Sequence, residues 1–312
     1  MSFEDSINRL FQEADRVKRS NETFRNPEYL EECYKIALEN LSIDTIDISD
    51  PVFLTKYSQA EINEDKKHVQ ALEHNFDESN TDIAKNNKKI GTILEAFLYN
   101  QIEQNLILGM NVHTISTCKY DDYHNRVDTI MELLPEESDE YEHLALAYDA
   151  TLTSNTDQLN KKVESLKRDI LNGRLANIKY FKSENSYQLS LENIPKLVIG
   201  MDMFNLENVI RLWMGVINQE KGSNDKLINH PFRLIIIDQI ILQLEYFVEY
   251  AKSINQDSIA KEYENILIFF KQLNDEKDMK SLRDGILSDP KKLQMYENDN
   301  VLNFFKDLRY KK

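Results

Sequence analysis

The run from Phe232 to Val248 constrains the fold more than any other stretch of the chain. It carries Leu234, Ile235, Ile236, Ile237, Ile240, Ile241, Leu242, Leu244, Phe247 and Val248, which at 100° per residue leave almost no polar side to a helix. Such a helix must be enclosed, either by other helices of the same chain, the reading adopted here, or by a second subunit in a homodimer. Asp238, Gln239, Gln243, Glu245 and Glu249 interrupt the stretch around it, too many polar groups for a lipid-facing span. No membrane partner is expected.

The rest of the composition is that of a globular protein: 312 residues, 41% apolar and 29% charged. Cys33 and Cys118 are the only cysteines and lie in unrelated contexts, so neither a disulfide framework nor a thiolate zinc site is expected and a reducing cytosol fits. The opening residues Met1 to Ser6 are acidic and amphipathic, without the basic and apolar regions of a signal peptide, which points to a cytoplasmic location. A formal net charge of −16 argues against a broad phosphate-gripping surface. Any nucleic-acid contact must be local.

With 7 glycines and 6 prolines, helices dominate the two ends. Ile7, Leu10, Phe11 and Ala14 have helical spacing, Asn26-Pro27 opens a second helix, and Asp50-Pro51 marks a break. A polar helical segment from Gln59 to about Phe76 reads as a hairpin or coiled-coil arm leading, after Asp77 to Asn80, into a helix that carries Glu95. The pattern then changes. Strand-like runs occur at Val112 to Lys119, Arg126 to Leu133, Leu144 to Leu152, Asn177 to Phe181 and Lys196 to Met201, with one helix from about Thr156 to Asn172. Asp121 to Asn125 has the composition of a hairpin turn. Helices return at Leu206 to Asn218, Phe232 to Lys252, Asp257 to Leu273 and Val301 to Leu308. The division expected is a helical region 1–87, an α/β (α+β) core 88–203 with a mixed central sheet, and a helical bundle 204–312 packed on that core.

Three acids mark the chemistry. Glu95 sits on a helix, Asp128 in a strand-like run after Val127, and Asp149 in a run whose neighbours Ala147, Tyr148, Ala150 and Leu152 are uncharged. An acid buried there needs a partner or a metal, and three carboxylates together make a hard oxygen site suited to Mg²⁺ or Mn²⁺. Taken singly, each has a plainer reading as a solvated surface charge. Asp122 and Glu132 are further acids to weigh, although Glu132 lies roughly 13 Å from Asp128 at strand rise.

The order of helix with Glu95, strand with Asp128, strand with Asp149 and then helix resembles the PD-(D/E)XK, or restriction-endonuclease-like, nuclease superfamily over about Ile90 to Met201. Gly91-Thr92-Ile93-Leu94-Glu95 matches the helix element, Val127-Asp128 the "PD" with Val for Pro, and Asp149-Ala150-Thr151 the "(D/E)XK" with Thr151 where lysine is expected. The resemblance implies that Glu95, Asp128 and Asp149 bind the metal and that a lysine positions the attacking water. In some relatives, including cap-snatching endonucleases of segmented RNA viruses, that lysine comes from the next helix. Here that helix has Ser154 or Asn155 as N-cap candidates and the stripe Leu159, Val163, Leu166 and Ile170. Lys162 and Lys167 flank the stripe, and Lys162, nearer the helix start, is the candidate; the plainer reading is a snorkelling surface lysine. His113 or His124 could add a ligand.

Between Asn155 and Lys182 seven basic residues, among them Lys167, Arg168 and Arg174, stand against three acidic ones, a local footing for DNA or RNA with Tyr180 and Phe181 as stacking groups. The expected function is metal-dependent phosphodiester hydrolysis. The alternative is a catalytically inactive nuclease-like protein whose acidic helical surface binds other proteins, supported by Thr151 and by the net charge.

Overall fold

The structure is a computed structural model and describes residues 23–43, 45–78, 81–134, 144–153 and 156–310. The Ile7–Ala14 periodicity and the capping candidates Ser154 and Asn155 lie outside the described residues.

Asn26 opens α1 (Pro27–Ser42) by accepting the Glu28 and Tyr29 amides while Pro27 occupies the first turn. A 3-10 turn at Pro51–Thr55 leads to α2 (Gln59–Glu78) and α3 (Asp82–Tyr99), which packs on α1. Three antiparallel strands follow, β1 (Val112–Ser116), β2 (Thr129–Leu133) and β3 (Leu144–Leu152), then α4 (Thr156–Leu171). A small ribbon of β4 (Ala176–Ile178) and β5 (Leu191–Ile194) precedes β6 (Lys196–Met201). The remainder is helical: α5 (Met203–Ile217), α6 (Ser223–Ile228), α7 (Phe232–Ser253), α8 (Asp257–Asp275), α9 (Lys277–Ser288), α10 (Pro290–Glu297) and α11 (Asn300–Tyr310). The chain is thus α+β, with a mixed four-stranded sheet in the order β1-β2-β3-β6, the last pair parallel across the α4 crossover.

Alternation along the strands divides the interior in two. Met131, Leu133, Leu146 and Tyr148 enter a large core shared with α1, α3, α4, α5, α7 and α8, which runs from Phe24 to Phe305 through all three expected regions. Ile130, Ala145 and Ala147 face a smaller core closed by Ile178, Phe181, Leu191 and Ile194.

Helix α7 is enclosed within the chain, and each of its buried polar groups has a task. Strand β6 is a sheet edge, and its outward backbone groups are taken by two glutamines. Gln243 receives the Val198 amide (3.0 Å) and donates to the Val198 carbonyl (2.8 Å); Gln239 does the same at Gly200 (3.1 and 2.8 Å). Four residues of helix rise about 6 Å and two of strand about 6.6 Å, so this spacing puts the two amides in step with the two backbone sites. Asp238 is held by Arg283 through two bonds of 3.0 and 2.8 Å and by the Tyr296 hydroxyl at 2.6 Å. At the other edge the Thr114 amide donates to Glu103 Oε2 (2.5 Å) and the Ile46 amide to the Ser116 carbonyl (3.2 Å).

Several expected boundaries need correction. Asp121–Asn125 is a π-helical turn rather than a hairpin turn, and it ends at Arg126 in the left-handed region (φ 56°), which keeps 126–128 out of the ladder until Thr129. Buried Asp121 receives the amides of Lys179 (2.8 Å) and Tyr180 (3.0 Å), which ends β4 at Ile178 instead of Phe181. Tyr180 and Phe181 are fully buried, the first donating to Asp65 and the second filling the smaller core, so neither is a stacking surface.

Candidate active site

The register that sets Thr129 opposite Tyr148 carries Asp128, the next residue back, toward Asp149. There Asp128 Oδ2 accepts the amide of Ala150 at 2.9 Å, which ties the two acidic segments together. Helix α3 packs on β3 and brings Glu95, partly buried, into the electrostatic reach of Asp122 and Asp149. From the crossover helix Lys162 Nζ reaches Asp149 Oδ1 at 2.5 Å. Lys196 opens β6 opposite Ala147, on the same face of the sheet as Asp149 two residues on, and donates to the Arg126 carbonyl. Four carboxyl groups therefore share the end of one sheet with two ammonium groups.

The electrostatics follow from that excess of acid in a poorly hydrated place. Burial pushes Glu95 up to about 8, with Asp122 and Asp149 adding to the rise and Lys162 opposing it. Burial also raises Asp122, to about 6, against a hydrogen bond from Asp128. Asp128 itself is driven well above the usual carboxylate range, by burial first and then by Asp149, Glu95 and Asp122. Burial lowers Lys196, while Asp149 and Asp128 work to keep it charged.

The other sequence candidates lie elsewhere. His113 faces Glu103 (3.4 Å), and the His124 ring stacks on Tyr120 and meets His68 edge-on. Glu132 is buried and accepts from Ser183 and Asn185, holding the loop before β5. Lys167 pairs with Glu164 (2.7 Å) over the Tyr250 ring, Arg174 with Asp169 (2.9 Å), and Arg168 is exposed. Lys179 and Lys182 are likewise paired, with Asp65 and Asp50. Most of the basic stretch is thus already engaged by acids of this chain.

Among the described residues no group of three or more His, Cys, Asp or Glu is placed to hold a metal ion. No family model, curated protein or solved structure matches the chain. The sequence reading had not singled out Lys196, although a lysine at the head of Leu197-Val198-Ile199-Gly200-Met201 is a charge in an otherwise apolar strand. Asp122 was among the further acids to weigh, but an acid in a turn is ordinary and set it apart little.

These acids set an expected pH response. Glu95 (about 8), Asp122 (about 6) and fully buried Asp299 (about 7), each raised first by burial, keep their protons to higher pH in the folded chain than in the unfolded one. The unfolded chain releases those protons near pH 4. Their stabilising contribution is complete below that and is lost as pH rises toward the folded values. Buried His230, pushed down to about 4, acts oppositely, since the unfolded chain takes up a proton below about 6.5. Three acids outweigh one histidine, so the unfolding temperature of the metal-free protein should fall by several degrees between about pH 5 and pH 8. A flat or rising thermal-denaturation profile over that span would contradict this electrostatic account.

Proposed function

We propose that the chain is a metal-dependent nuclease that hydrolyses phosphodiester bonds of DNA or RNA with Mg²⁺ or Mn²⁺. The observation that carries the reading is the convergence of Glu95 from a helix, Asp128 from the residue before β2 and Asp149 from β3, with Lys162 on the crossover helix that follows. The order α3-β1-β2-β3-α4-β6, with β6 parallel to β3, also supports the resemblance to the restriction-endonuclease-like fold.

The donor set suits a hard divalent cation in its chemistry, because its oxygen-bearing carboxylates outnumber its ammonium groups. Their present spacing does not close around an ion. Binding therefore calls for loss of the protons on Glu95 and Asp128 and for adjustment of the Lys162–Asp149 contact. A bound divalent cation supplies charge for the phosphate oxygen and a water of lowered pKa. Around it, Asp128, Asp149 and Glu95 hold position, while Lys162 and Lys196 bring positive charge to the incoming phosphate. The substrate backbone finds little free basic surface, which fits a contact confined to a few phosphates.

Mn²⁺ titration calorimetry, paired with cleavage assays on DNA and RNA, tests the reading. Micromolar binding by the wild type and its loss in folded Asp149→Ala are expected. A folded wild type that neither binds Mn²⁺ nor cleaves either polymer would overturn the nuclease and leave the acidic protein-binding alternative.

A further inference from the structure

Strand β3 outruns its partner on one side. It pairs with β2 from Leu144 but with β6 only from Ala147. The Ala147 amide donates to the Pro195 carbonyl (2.9 Å), so Ala145, two residues earlier, directs its own amide and carbonyl to that same side, where β6 has not yet begun. Before Pro195 the chain has turned away to pair as β5 with β4. The fork holds a cleft of about 480 Å³, the size of a ligand site, lined by Ala145, Ser190, Glu192 and Asn193 and by Lys56 and Glu262. Further along, the outward backbone of β6 is capped. The Tyr263 hydroxyl donates to the Lys196 carbonyl (3.2 Å) and accepts the Lys196 amide (3.4 Å), a series that Gln243 and Gln239 continue at Val198 and Gly200. Among the described residues no such cap covers Ala145, whose methyl group is held in the smaller core.

We propose that this fork is a binding site for an extended peptide segment of another protein, one that carries lysine or arginine. The inference lies beyond the nuclease reading, since Ala145 stands four residues, roughly 13 Å, from Asp149. Backbone supplies the general part of the recognition. A chain laid beside Ala145 continues the line of β6 and makes the kind of main-chain bonds that β6 makes further on. Charge supplies the selective part. Glu192 and Glu262 are exposed and, among the described residues, neither has an ion-pair partner, whereas the Lys56 ammonium is taken up by the Ser190 hydroxyl. Two open carboxylates beside one engaged ammonium favour a cationic side chain and repel an acidic one. The fork lies in line with β6 and inside the sheet, so it is reached without displacing the side chains that cover the outer edges.

Two fluorescein-labelled peptides with blocked ends, Lys-Val-Lys-Val-Lys and Glu-Val-Glu-Val-Glu, test the site by fluorescence polarisation on the full chain. The basic peptide should bind saturably and the acidic one about 10-fold more weakly or less. Replacing both acids, Glu192→Lys with Glu262→Lys, should weaken the basic peptide about 10-fold. Methylating the peptide amides one at a time removes a main-chain donor and keeps every charge, and at one position or more it should cost about 10-fold. Hydrogen exchange read by mass spectrometry should slow over residues 144–147 when the basic peptide is added. Circular dichroism checks that the variant is folded, and the methylated peptides carry the test if it is not. Binding indifferent to every methylation, or unchanged in the folded charge-reversed protein, would reveal attraction to the acidic surface at large and overturn the proposal. Absence of saturable binding would do the same. Equal protection of residues 144–147 by lysine amide alone would make the fork a small-amine site and exclude the peptide. None of these outcomes bears on the nuclease reading.

Discussion

Replacing Asp128 by Asn should lower metal-supported phosphodiester cleavage about 1,000-fold and at the same time make the metal-free protein more stable. The amide oxygen of Asn can still accept the Ala150 amide, so the tie between the two acidic segments survives. What disappears is a carboxyl that the fold keeps protonated well above its ordinary range, against the pull of water on the ionised form. In the unfolded chain Asp128 ionises near pH 4, so holding its proton costs stability at every higher pH, and Asn carries no such penalty. Urea unfolding at pH 8 should show a gain of about 1 kcal/mol or more, of the size common where a site is built at the expense of the fold. The gain should shrink to nothing near pH 4. An active Asp128→Asn protein, or one destabilised at pH 8, would show that Asp128 is an ordinary structural acid.

The second large effect concerns stability alone. Gln243→Leu leaves the amide and carbonyl of Val198 without partners inside a packed interface, and Gln239→Leu does so at Gly200 while also removing a 2.9 Å donor to Asp299. Each orphaned buried polar group costs about 1–3 kcal/mol. Each single variant should therefore lose about 2–5 kcal/mol in urea unfolding. The pair, acting on the same strand, should depart from additivity. Losses below about 1 kcal/mol would mean that water or a shifted helix replaces the glutamines.

Where the chain's own period is strong, local sequence suffices. Strands β3 and β6 occupy the expected spans, Leu144–Leu152 and Lys196–Met201, and α7 runs one residue beyond its expected end at Lys252. Where the pattern is short or diluted, it fails. Strand β5 offers only Leu191 and Ile194 across four residues, and the brief helices α6 and α10 present almost no buried face. Helix α9 went unexpected, because the polar residues between Met279, Leu282 and Ile286 dilute their helical spacing. The candidate site divides in the same way. Glu95, Asp128, Asp149 and Lys162 follow one another in an order that can be laid on a helix, two strands and a helix. Asp122 joins them only because the chain coils into a π turn before β2, and Lys196 only because β6 lies beside β3. Neither fact is local.

The stoppered edges of the sheet bear on how this chain can assemble. An open strand is a template on which a second copy, or a stranger's extended segment, can lay itself down. Here Gln239 and Gln243 fill the places along β6, and Glu103 with the Ile46 amide fills places along β1. A fifth strand would have to evict side chains before it could pair. The width of the sheet is therefore set by groups that belong to no strand. Pairing through the edges of this four-stranded sheet is thereby disfavoured, and crowding this acidic protein should not by itself start polymerisation along them.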